Sequence, residues 1–91
     1  MRLIEAKTVQ VTSTPSSLLF NSIDYDFIVI EYCGKVGQSF QIDTDVNTFI
    51  FVLAINNLST TLSKSFINAQ PVELLVNADD GVATIYLWKY E

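Results

Sequence analysis

The chain is a succession of short runs of β-branched and aromatic residues, cut apart by clusters of Ser, Thr, Asn, Asp and Gly, and no stretch keeps a helical period. That pattern predicts strands over Ala6 to Thr12, Phe27 to Tyr32, Gln38 to Ile42, Thr48 to Ile55, Val72 to Val76 and Val82 to Tyr90, with a short addition at Ser17 to Phe20. Strands spaced about 8 to 12 residues apart with turn signals between them give an all-β fold, a small antiparallel β-sandwich or barrel of about six to seven short strands. Asn56 to Ser65, rich in Ser, Thr and Asn, reads as a loop with at most one turn of helix.

Two connections carry a mechanism. Pro15, inside Ser13-Thr14-Pro15-Ser16-Ser17, cannot donate to a sheet ladder and ends the first strand. Asn77-Ala78-Asp79-Asp80-Gly81 joins two apolar runs, and its Asp-Gly pair tolerates the positive φ of tight turns, so Val72 to Tyr90 is expected to be a C-terminal hairpin. No repeat, linker or low-complexity tract divides the chain, and 91 residues read as a single β domain, 1–91.

Side chains alternate between the two faces of a strand, so a half-buried strand should alternate apolar with polar. Several runs here do not. Thr48 to Ile55 carries Phe49, Phe51, Leu53 and Ile55 on one face and Ile50, Val52 and Ala54 on the other. Phe27 to Tyr32 sets Phe27 and Val29 opposite Ile28, Ile30 and Tyr32. The last strand has an aliphatic face of Ala83, Ile85 and Leu87 and an aromatic one of Thr84, Tyr86, Trp88 and Tyr90. Tyr and Trp bring large apolar area with one polar tip, which suits an interface. Thr84, Tyr86, Trp88 and Tyr90, with Phe49 and Phe51, are therefore the candidate contact residues; the competing reading packs them inside the protein.

Composition bears on that choice. The chain is 49% hydrophobic and 16% charged, where ordinary domains carry roughly 25% charged residues. A 91-residue domain buries only about 60 to 65% of its unfolded surface. Apolar area is thus left to contact something else.

Most chemistry is excluded by what is missing. There is no histidine, which removes the commonest general base and the usual Ser-His and Cys-His pairs. Cys33 is the only cysteine, so there is no internal disulfide or cysteine-based metal site, and its one basic neighbour is Lys35. Gly34, Gly37 and Gly81 fit no phosphate-binding loop. Asp43-Thr44-Asp45-Val46-Asn47 opens like a calcium loop, but Thr48 stands where glycine is needed and Ala54 where the bidentate glutamate is needed. Asp24 and Asp26, and Asp79 and Asp80, read in the same way as turn residues. The expectation is no enzyme, no cofactor, no metal and no small-molecule substrate. Arg2, Lys7, Lys35, Lys64 and Lys89 are scattered in a chain of net charge −5, which argues against nucleic-acid binding. Met1 to Lys7 does not read as a signal peptide, so none is expected, and the longest apolar run, seven residues from Phe49 to Ile55, falls far short of the roughly 20 that cross a bilayer. No membrane partner is expected, and the chain is expected to be assembled in the cytoplasm.

Val9-Gln10-Val11-Thr12-Ser13-Thr14-Pro15-Ser16-Ser17-Leu18-Leu19 near the start, Asn68-Ala69-Gln70-Pro71-Val72-Glu73-Leu74, and Ala78-Asp79-Asp80-Gly81-Val82-Ala83-Thr84-Ile85-Tyr86-Leu87 near the end resemble small β-sandwich proteins of bacteriophage virions, of the head-decoration, head-fibre and neck or tail accessory kind. The resemblance covers roughly a third of the chain and is one of strand, turn and strand. It implies a non-enzymatic virion component that binds other copies of itself and capsid proteins. Two other functions fit the residues: a carbohydrate-binding module with Tyr86, Trp88 and Tyr90 as its stacking platform, and an acidic inhibitor of a host enzyme.

Overall fold

The computed structural model describes residues 1–20, 24–45, 47–67 and 71–91. Among them the strands are β1 (Arg2–Val11), β2 (Ser16–Leu18), β3 (Phe27–Cys33), β4 (Ser39–Asp43), β5 (Thr48–Val52), β6 (Asn57–Ser63), β7 (Val72–Val76) and β8 (Gly81–Lys89), with a 3-10 turn at Lys64–Phe66. They form two four-stranded sheets, β1-β8-β3-β6 and β2-β7-β4-β5, and all pairings are antiparallel. The expected antiparallel sandwich is present, with eight strands.

The pairing is nested: β4 with β5, β3 with β6, β2 with β7 and β1 with β8. A chain paired in this way is one long hairpin, turned at β4–β5 and rolled so that successive strand pairs fall in opposite sheets. This is the jelly-roll topology of two Greek keys. The core lies between the layers. Ile28, Ile30 and Tyr32 of β3 and Ala83, Ile85 and Leu87 of β8 meet Phe40 and Ile42 of β4 and Val72, Leu74 and Val76 of β7, all at most 1% exposed. No helix among the described residues is long and apolar enough to cross a membrane.

Two sequence expectations give way. Val72 to Tyr90 is not a hairpin, because β7 pairs with β2 and β4 in one sheet while β8 pairs with β1 and β3 in the other. A flat hairpin would set Val72, Leu74 and Val76 beside Ala83, Ile85 and Leu87 with nothing above them. Sending the two strands to opposite layers turns those rows toward each other. The turn between them does use a positive φ, at Asp79 (54°).

The stretch read as a loop is a strand instead. β6 has Leu62 buried and Leu58 half-buried on its inner face, with Ser and Asn exposed on the outer one. Its alternation is genuine, but Thr60 fills the middle inner position, and a Ser/Thr-rich composition hid the period. The single helical turn follows at Lys64–Phe66.

One polar residue ties the end of the sandwich together. Gln38 is 5% exposed. Its Oε1 accepts from the Tyr32 hydroxyl at 2.9 Å and from the Lys35 backbone N–H at 2.8 Å. Its Nε2 donates to the carbonyls of Ala78 and Asp79. The amide thus saturates itself while joining the β3–β4 turn to the β7–β8 turn.

Candidate functional site

The antiparallel register fixes what shares the outer face of the β1-β8-β3-β6 sheet. Trp88 lies between Leu3 and Phe27, Tyr86 between Ala6 and Val29, and Thr84 between Thr8 and Glu31. Phe27 stacks on Trp88 with ring centroids 6.4 Å apart and planes 11° from parallel, and Tyr90 closes on Phe27 at 5.4 Å. Met1, Phe27, Val29, Glu31, Tyr86 and Trp88 line an open groove of about 490 Å³.

This face cannot be covered by the protein's own second sheet, which packs on the opposite side of β3 and β8. The aromatic row is therefore surface rather than core: Thr84, Tyr86 and Trp88 are half-buried and Tyr90 is 65% exposed. Phe49 and Phe51 are elsewhere. They lie on β5, in the other sheet, and their rings pack partly against the core. The outward residues of that strand are Ile50 and Val52, 61% and 69% exposed. The sequence does not show which row of β5 turns inward, because two apolar faces look alike until one of them finds a core. Sequence reasoning also passed over Phe27, Val29 and Glu31, although the doubled apolar faces of β3 were the available signal.

The segment before β3 holds the aromatic end in place. The Asp26 backbone N–H donates to the Trp88 carbonyl at 2.8 Å, and the Tyr90 N–H donates to Asp26 Oδ2 at 2.6 Å. Lys89 Nζ meets Asp24 Oδ2 at 3.0 Å, and its hydrogen bond and charge hold the Asp24 carboxyl below the usual carboxylate range. Beneath them Tyr25 is buried, with Lys64 Nζ 5.1 Å from its ring centroid. Asp24 and Asp26 thus work as fasteners for the last strand.

The groove is almost entirely apolar. Its polar edge is the Tyr86 hydroxyl beside Glu31: desolvation, then the Glu31 charge and hydrogen bond, push the Tyr86 pKa up. Glu91 Oε2 meets the amino group of Met1, a lining residue, at 3.4 Å, while the acids of the turns are engaged elsewhere. Thr44 and Asn47 close the β4–β5 turn on themselves, with Thr44 N–H donating to the Asn47 carbonyl at 2.8 Å and Asn47 N–H to Thr44 Oγ1 at 3.0 Å. Val46 of the calcium-like stretch lies outside the described residues. Asp43 accepts from Gln41 Nε2, and Asp79 faces Lys35 at 3.7 Å. Among the described residues no three Asp, Glu or Cys side chains gather where they could hold an ion. Cys33 is exposed at the end of β3.

The arrangement is a jelly-roll sandwich with a filled core and an aromatic groove on the outside of one sheet. Comparison with protein-family models, curated proteins and solved structures found no match to the chain.

Proposed function

We propose that the protein is a non-enzymatic assembly subunit, a decoration or accessory component of a phage particle, which seats the Phe27–Tyr86–Trp88–Tyr90 face on neighbouring protein subunits. The observation that carries this reading is the open groove around Trp88, an aromatic surface left over after the core is filled. Aromatic anchors in a mostly uncharged setting are the residues that dominate protein–protein contacts. Jelly rolls recur in viral capsids, which agrees with the resemblance in the sequence; this support is one of fold analogy.

The test is co-sedimentation of the tagged chain with phage particles purified from a culture whose phage encodes this chain. The wild type is expected to pellet with them. A Trp88→Ala, Tyr86→Ala variant with unchanged circular dichroism should stay in the supernatant, its affinity lowered about 30-fold or more. A wild-type chain that never pellets sinks the proposal. Jelly rolls also serve as lectins, and the Tyr86–Glu31 edge supplies the polar pair a sugar would need. Binding on a glycan array, lost in the same variant, would transfer the face to saccharides.

A further inference from the structure

The two flanks of the sandwich are built differently. On one, β1 carries Arg2, Glu5 and Lys7 and a register shift between Leu3 and Glu5. Glu5 and Lys7 stand opposite Leu87 and Ile85, in step with the core-facing residues of β8, and both remain exposed at this edge. The neighbouring edge, β2, is three residues long and follows Pro15. Inward charges, bulges, short strands and proline are the devices by which sheet edges avoid pairing. The other flank consists of β5 and β6, the edges of the two sheets, joined by residues 53–56. From Thr48 to Ser63 it has no charged residue and no proline, in a chain with ten acidic and five basic residues.

Hydrogen-bond parity shows which groups of β5 face outward. Leu53 N–H donates to the Gln38 carbonyl and Thr44 N–H to the Asn47 carbonyl, so the residues of β5 bonded to β4 are those in step with Asn47 and Leu53, namely Phe49 and Phe51. Thr48, Ile50 and Val52 direct both N–H and C=O toward the open side.

We propose that β5 pairs antiparallel with β5 of a second copy of this chain, about a two-fold axis at Ile50. In this register Ile50 faces Ile50 and Thr48 faces Val52, so every outward donor and acceptor of the strand is matched. The pairing makes two hydrogen bonds at the axis and two at each Thr48–Val52 pair, six in all. Phe49 falls opposite Phe51 of the second copy in the closely spaced pairs, where aromatic side chains interact best. A slip of one residue would set core-facing rings against outward side chains. Charge selects the same surface. Two copies at −5 each repel, and the charge-free flank lets them meet without opposing carboxylates; Asp45 lies across from Ile55 of the second copy. The contact is a short one, toward the small end of specific interfaces, so the dimer is concentration-dependent. It involves a different sheet from the Trp88 groove and stands whether or not that groove binds a virion protein.

Sedimentation velocity over a concentration series tests it. The wild type is expected to shift from monomer to dimer as concentration rises. Ile50→Lys and Ile50→Pro should remain monomeric at every concentration with unchanged circular dichroism, since the proline removes only an outward N–H. Register is read in a Cys33→Ser background. Ile50→Cys should cross-link to dimer on mild oxidation, because facing Cα atoms in such a pair are about 5.5 Å apart. Thr48→Cys, about 14 Å from its own counterpart, should not, whereas Thr48→Cys with Val52→Cys should. A wild type that stays monomeric throughout overturns the proposal. So does a dimer that survives both Ile50 variants, or one that dissolves only with Trp88→Ala.

Discussion

Gln38 makes four side-chain hydrogen bonds from a buried position, to Tyr32, Lys35, Ala78 and Asp79. Gln38→Ala strands the Tyr32 hydroxyl and two carbonyls, and buried groups without partners are costly. The expected loss is about 2–4 kcal/mol by urea titration, against under about 0.5 kcal/mol for Cys33→Ser at the exposed end of β3. A Gln38→Ala protein as stable as the wild type would show that the two turns hold without it. Gly81 depends on the same cluster: a Cβ there would run into the Tyr32 hydroxyl and the Cys33 carbonyl. Gly81→Ala is therefore expected to cost about 2 kcal/mol or more, from overpacking rather than backbone strain. Neither role was readable in the sequence, where Gln38 is one polar residue at a strand's start and Gly81 half of an Asp-Gly turn signal. Gln38 reaches a partner 41 residues away in the chain, Gly81 packs against a tyrosine still further back, and only folding brings them together.

At the scale of the element, β6 is the clearest case of tertiary context overriding composition. Its seven residues contain two leucines, and Leu62 is 4% exposed beneath an otherwise polar strand. Leu62→Ala is expected to destabilise by about 2–4 kcal/mol, while Thr61→Ala, on the outer face, should cost less than about 1 kcal/mol. Equal effects in thermal melts would mean that β6 is not anchored through its inner face. β8 behaves as expected on its aliphatic side, with Ala83, Ile85 and Leu87 buried, whereas for β3, apolar on both faces, only the fold shows that Ile28, Ile30 and Tyr32 are the inward row. β5 was legible as apolar on both faces but not in which face was inward. That depends on the direction from which β4 and the core approach.

For the whole molecule, burial also sets a limit at high pH. Burial pushes the pKa of Tyr25 and of Tyr32 above the ordinary tyrosine value; for Tyr32 the Gln38 hydrogen bond opposes this and Asp80 and Asp79 add to it. A raised folded-state pKa on an acid means that the folded state keeps its proton longer than the unfolded chain does. The stability tied to these groups is therefore complete below about pH 10 and lost as pH rises through the raised values. The urea midpoint is expected to be flat from about pH 8 and to fall above about pH 10, with a shallower fall in a Tyr25→Phe, Tyr32→Phe variant. A midpoint indifferent to pH across that range would show that neither hydroxyl is held in its neutral form by the fold.

The sequence by itself determined that this chain is an antiparallel β protein with an aliphatic core face on β8, and that the Tyr86, Trp88 and Tyr90 row differs in chemistry from that face. Those properties follow from side-chain alternation, which is local and has a period of two. Tertiary structure decided the rest: that β7 and β8 part into opposite sheets, that Asn57–Ser63 is a strand, that Phe27 and Val29 complete the aromatic groove, and that Ile50 rather than Phe51 faces out. Each depends on strand order. Nested pairing brings together residues from opposite ends of the chain, and no pattern within a single strand records its neighbour or the side on which the core lies.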